Sequence, residues 1–86
     1  MRYGTKDTMD RTRKKVIAAV FGWYKNQGRV VTMEYVIGTI CQAGNVKRIN
    51  ELSLNALNRI YAEFCQKQRI QYVKRNESVY SNISMN

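Results

Sequence analysis

"IQYVKRNESVYSNI", residues 70–83, is the stretch whose reading decides the fold of this chain. Two short runs, Ile70–Val73 and Val79–Ile83, alternate in character around a polar segment, the pattern of paired strands. A two-residue turn at Asn76 and Glu77 sets Ile70 opposite Ile83, Tyr72 opposite Ser81 and Val73 opposite Tyr80. The expectation is a β-hairpin at the end of a mainly helical protein. Lys74 and Arg75 then stand near its tip.

The segment before the hairpin, "SLNALNRIYAEFCQKQ", predicts a helix that Ser53 caps. Leu54, Leu57, Tyr61, Phe64 and Cys65 share one apolar face. Asn55, Arg59, Ala62 and Gln66 point the other way, with Ala56 beside them. Further back, Val16, Ile17, Val20, Phe21 and Tyr24 give a first helix from about Thr8 to Gln27, with Thr8 as its cap. Gly28 ends it in the left-handed conformation. "RVVT", residues 29–32, is short and β-branched and predicts one small strand. Thr32 caps a second helix, "MEYVIGTICQAG", whose buried stripe is Val36, Ile37, Ile40 and Cys41. Gly44 and Asn45 stop it. "NVKRINEL" predicts either a loose helical turn or the front of the third helix.

Helix, short strand, helix, helix and hairpin in this order resemble the winged helix-turn-helix family. The resemblance covers roughly residues 8 to 83 and is strongest in "LSLNALNRIYAEFCQKQRIQYVKRNESVYSNI". It implies an α+β fold of three helices, a short strand and a C-terminal wing, in one domain over residues 1–86 with a basic arm at about residues 1–8. The chain departs from the family after Gly44, where nine polar-rich residues precede Leu54. The resemblance also implies sequence-specific binding of double-stranded DNA, as in a small transcriptional regulator. Ser53, Asn55, Ala56, Arg59 and Ala62 on the third helix would face the major groove. Lys67, Arg69, Lys74 and Arg75 would serve the backbone from the helix end and wing. Arg11, Arg13, Lys14, Lys47 and Arg48 are further candidates for phosphate contacts.

Charge points the same way. The 86 residues carry 15 Lys and Arg against 6 Asp and Glu, a net +9, which calls for a polyanionic partner. An acidic protein partner, in an interaction domain of a viral or plasmid protein, is the first rival reading. A module for RNA or single strands, with Tyr72 and Tyr80 stacking on bases, is the second. A homodimer, joined through first-helix aromatics such as Phe21 and Trp23, would double the surface for recognition.

Catalysis has little to stand on, because histidine is absent and the carboxylates Asp7, Asp10, Glu34, Glu51, Glu63 and Glu77 are scattered. No cofactor or metal is expected, since Cys41 and Cys65 stand apart and outside any CxxC. Both read as reduced, buried side chains in a cytoplasmic protein. No apolar run is long enough to cross a membrane.

Overall fold

A computed structural model describes the backbone of residues 4–84 and the side chains of residues 7–73. The elements are α1 (Gly4–Asn26), α2 (Met33–Gly44), a 3₁₀ turn (Ile49–Glu51) and α3 (Leu54–Ser84). No strand occurs among the described residues. The winged helix-turn-helix architecture expected above is therefore wrong for this chain: the hairpin segment is the second half of α3. Residues 70–84 continue the helix that Ser53 starts, so no wing forms around Lys74 and Arg75, whose side chains lie outside the described ones.

The physical reason lies in what the stretch lacks. A two-residue hairpin turn needs residues that accept positive φ, and Glu77 does not. No glycine or proline follows Gly44 in the chain. Once the first turn of α3 is nucleated, each further residue adds a hydrogen bond for little entropy, and nothing interrupts it. "RVVT" is also not a strand. It forms the connection between α1 and α2, with Val30 fully exposed, because a lone β-branched run finds no partner to complete a ladder.

Helix ends follow the expected chemistry where the capping residues sit at real boundaries. Thr32 Oγ1 accepts from the Tyr35 amide at 3.1 Å, and Ser53 Oγ accepts from the Ala56 amide at 3.1 Å. Thr8 is no cap, since α1 starts at Gly4 and so includes part of the expected arm. α1 closes with Arg29 N–H donating to Tyr24 O and Gly28 N–H donating to Lys25 O, with Gly28 at φ 76°. α2 closes the same way: Val46 donates to Cys41 O and Asn45 to Gln42 O, with Asn45 at φ 57°. Gly44 has a different task. A Cβ there would overlap Cδ2 of the buried Leu52 and lie 3.4 Å from Ile60 Cδ1, so its bareness lets α2 end against the core.

The core collects Val16, Ala19, Val20 and Tyr24 from α1 with Val36 and Ile40 from α2. Leu52, Leu57, Ile60 and Phe64 complete it. Ile17, Phe21, Ile37, Leu54, Tyr61 and Cys65, all expected on buried stripes, are only half-buried. Ile60, placed on no stripe by the sequence, is fully buried. Both cysteines are free, with Cys41 buried. Burial first, and the Glu51 carboxylate second, raise the Cys41 thiol above its usual pKa, so it stays neutral.

α1 and α3 run in the same direction. Along them, Lys15 lies over the Tyr61 ring, Gln68 Nε2 donates to Ala19 O at 2.8 Å and Gln71 Nε2 donates to Trp23 O at 3.2 Å. α1 ends at Asn26, whereas the 31 residues of α3 span about 46 Å, so its last turns extend past α1. The long axis of the molecule, 60 Å against 26 and 18 Å, follows from this.

Candidate nucleic-acid interface

The bundle fixes which side of α3 is left for solvent. Leu57, Ile60 and Phe64 turn inward, and the opposite side carries Asn55, Arg59, Ala62, Gln66 and Arg69. Their spacing of four, three, four and three residues keeps them on one face. All five are exposed. From Asn55 to Arg69 the row spans about 21 Å and holds no carboxylate. Glu63 sits at its flank, 3.8 Å from Lys67 Nζ.

Three expected contact residues are drawn elsewhere. Ser53 spends its hydroxyl oxygen on the α3 cap. Ala56 is half-buried and packs against the core. Lys67 is half-buried, with its ammonium 5.0 Å from the centroids of both the Trp23 and Phe64 rings. Arg69 remains exposed on the outward row. Gln66, placed on the outer face by spacing but not among the expected contacts, stands in the middle of the row.

The remaining cations divide between two places. Lys47 and Arg48 are exposed in the α2–α3 connection, directly before the 3₁₀ turn. Arg11 and Lys14 are exposed on α1. Arg13 is half-buried and pairs with Asp10 at 3.0 Å. Among the described residues only Arg13 and Lys67 lie in ion pairs, so most of the positive charge is uncompensated.

Arg29 is held by its own surroundings. Its guanidinium lies 4.9 Å from the Tyr24 ring centroid and 5.5 Å from that of Tyr35, and donates to the Tyr35 hydroxyl at 3.2 Å. This clamp ties the α1–α2 connection to both helices. The first-helix aromatics expected at a dimer contact pack within the chain. Trp23 meets the Phe64 ring edge-on at 5.3 Å, and Phe21 packs against the core.

No cluster of three or more His, Cys, Asp or Glu side chains suited to a metal occurs among the described residues. No helix of those residues is long and apolar enough to cross a membrane. Comparison with protein-family models, curated proteins and solved structures finds no match to this chain.

Proposed function

We propose that this protein binds double-stranded DNA with sequence preference, laying the outward row of α3 in the major groove, as a small transcriptional regulator does. The observation that carries the reading is the row itself: five exposed residues on one helical face, without a carboxylate, in a chain of net charge +9. A helix about 10–12 Å across fits a major groove about 12 Å wide. Arg59 can donate two hydrogen bonds to guanine O6 and N7, and Asn55 and Gln66 can pair with adenine N6 and N7. Ala62 leaves room for a thymine methyl between them. Arg69, Lys47 and Arg48 suit phosphates at the two ends of the row and supply affinity without sequence information. No wing takes part. Contacts to the DNA backbone fall to these exposed side chains.

Selection from a random duplex pool tests the reading, with matched single strands and RNA as competitors. The expected result is enrichment of a short motif in duplex DNA that survives the competitors. A nuclease-resistant complex with an acidic protein, and no enrichment from the pool, would support the rival docking role and overturn this one.

A further inference from the structure

Besides the row on α3, the molecule carries a second line of uncompensated cations, on α1. Arg11, Lys14, Ala18 and Lys25 recur at helical spacing, which keeps them on one face, and all four are exposed. Lys15 is exposed at their flank, with its ammonium over the Tyr61 ring. No carboxylate occurs between Asp10 and Glu34. Asp10 pairs with Arg13, and Asp7, one turn before Arg11, is in no ion pair among the described residues. The other side of α1 turns Val16 and Val20 into the core and sets Trp23 against Phe64 of α3. The cationic face of α1 therefore looks away from α3, while the α3 row looks away from α1. A duplex seated on the α3 row has the bundle between itself and these cations. Arg11 and Lys14, expected among the phosphate contacts of one bound duplex, face the wrong way for it.

What this face lacks narrows its partner. The exposed large hydrophobics among the described residues, Val30, Met33, Tyr35, Ile70, Tyr72 and Val73, all lie outside α1. Phe21, the large apolar residue nearest the row, packs against the core. A lipid surface takes a helix that buries an apolar face in it, and protein interfaces are rich in aromatic residues and poor in lysine. The α1 face offers neither an apolar strip nor an aromatic anchor, and lysine supplies all but one of its charges. Such a face suits a phosphate backbone, which asks for positive charge alone. From Arg11 to Lys25 the row spans about 21 Å, as long as the row of α3. We infer that α1 binds the backbone of a second DNA duplex, so that one chain bridges two duplexes. The inference rests on the nucleic-acid reading above and deepens it: α3 selects the site, and α1 holds a neighbouring segment whatever its sequence.

The full chain is mixed with short mixed-sequence duplexes, one biotinylated and one fluorescent, and the fluorescent duplex is recovered on streptavidin beads. Expected is co-capture that needs the protein and falls as salt rises. Light scattering with duplex in excess should give a complex of one chain and two duplexes. The double variant Lys14→Gln, Lys25→Gln should cut co-capture about fivefold or more and flatten its salt slope by about two units, one for each phosphate contact. Anisotropy of one labelled duplex in excess protein reports the tighter α3 site and should change less than about twofold. Lys14→Arg with Lys25→Arg should keep co-capture, because the charge is kept. The stoichiometry needs no variant and decides the matter if the substitutions disturb folding. A complex that stops at one duplex per chain overturns the inference and leaves the α3 reading standing. Two chains with two duplexes, or co-capture that the glutamine variant leaves unchanged, assigns bridging to a pair of chains and overturns it as well. Capture of phosphatidylglycerol vesicles that depends on Lys14 and Lys25, without co-capture of duplex, turns the face to a lipid surface and overturns it too. No anisotropy change with any duplex overturns both readings.

Discussion

Phe64→Ala should lower the unfolding free energy by about 3–5 kcal/mol, the usual cost of removing a buried aromatic ring. Domains of this class hold about 5–15 kcal/mol in all, so the variant should be largely unfolded or close to it at 37 °C. Phe64 is 3% exposed and follows Leu57 and Ile60 along the inward face of α3. Its ring also supports Trp23, edge-on at 5.3 Å, so the loss opens a cavity between α1 and α3. Urea denaturation followed by circular dichroism measures the change, provided the slope against urea stays that of the wild type. A cooperative variant destabilised by less than about 1 kcal/mol would show that this face of α3 is not in the core.

The second large effect concerns binding. Arg59→Ala should cost about 1–3 kcal/mol on a preferred duplex and much less on random sequence, because it removes a paired contact to one base. Arg69→Ala should weaken all duplexes alike and lower the slope of log affinity against log salt by about one unit. The double variant should therefore lose both preference and general affinity, about a hundredfold in total on the preferred site. Fluorescence anisotropy at several salt concentrations separates the two components. If Arg69→Ala relaxed the sequence preference and Arg59→Ala changed only the salt slope, the roles would be exchanged. Neither change would be expected of charges that merely keep the chain in solution.

Local chemistry was legible in the sequence wherever a single residue type has a single purpose. Thr32 and Ser53 bond the amides they were placed to cap, and Gly28 and Asn45 take the left-handed conformations that end α1 and α2. Of the α2 stripe, Val36, Ile40 and Cys41 are buried and Ile37 is half-buried. The row Asn55, Arg59, Ala62 and Gln66 was visible because polar residues recur at helical spacing opposite an apolar stripe. Ile60 was missed although it stands three residues after Leu57 and four before Phe64. Its polar neighbour Arg59 and the amphipathic Tyr61 masked a spacing that would have found it.

Residues 70–83 misled for a different reason. Val, Ile and Tyr favour strands by only small increments, and those preferences reflect a pleated surface with neighbours to pack against. A helix already running from Ser53 offers continued hydrogen bonding at once, whereas a hairpin must first make a turn that Asn76 and Glu77 do not favour. Tertiary contacts reinforce the helix as far as they reach, since Gln68 and Gln71 bond to α1 from helical positions three residues apart. A strand there would turn the two amides to opposite faces of the chain or break their common reach to α1.

Titration of isotopically labelled protein with a duplex, followed by amide and side-chain amide NMR shifts, tests the central claim most directly. The outward face of α3 should move first and most: the backbone amides of Arg59, Ala62 and Arg69, and the side-chain amides of Asn55 and Gln66. Lys47 and Arg48 should follow in the α2–α3 connection, while the exposed face of α2 around Tyr35, Gly38 and Gln42 should stay in place. Shifts confined to that α2 face, with the α3 row unmoved at saturation, would contradict the account.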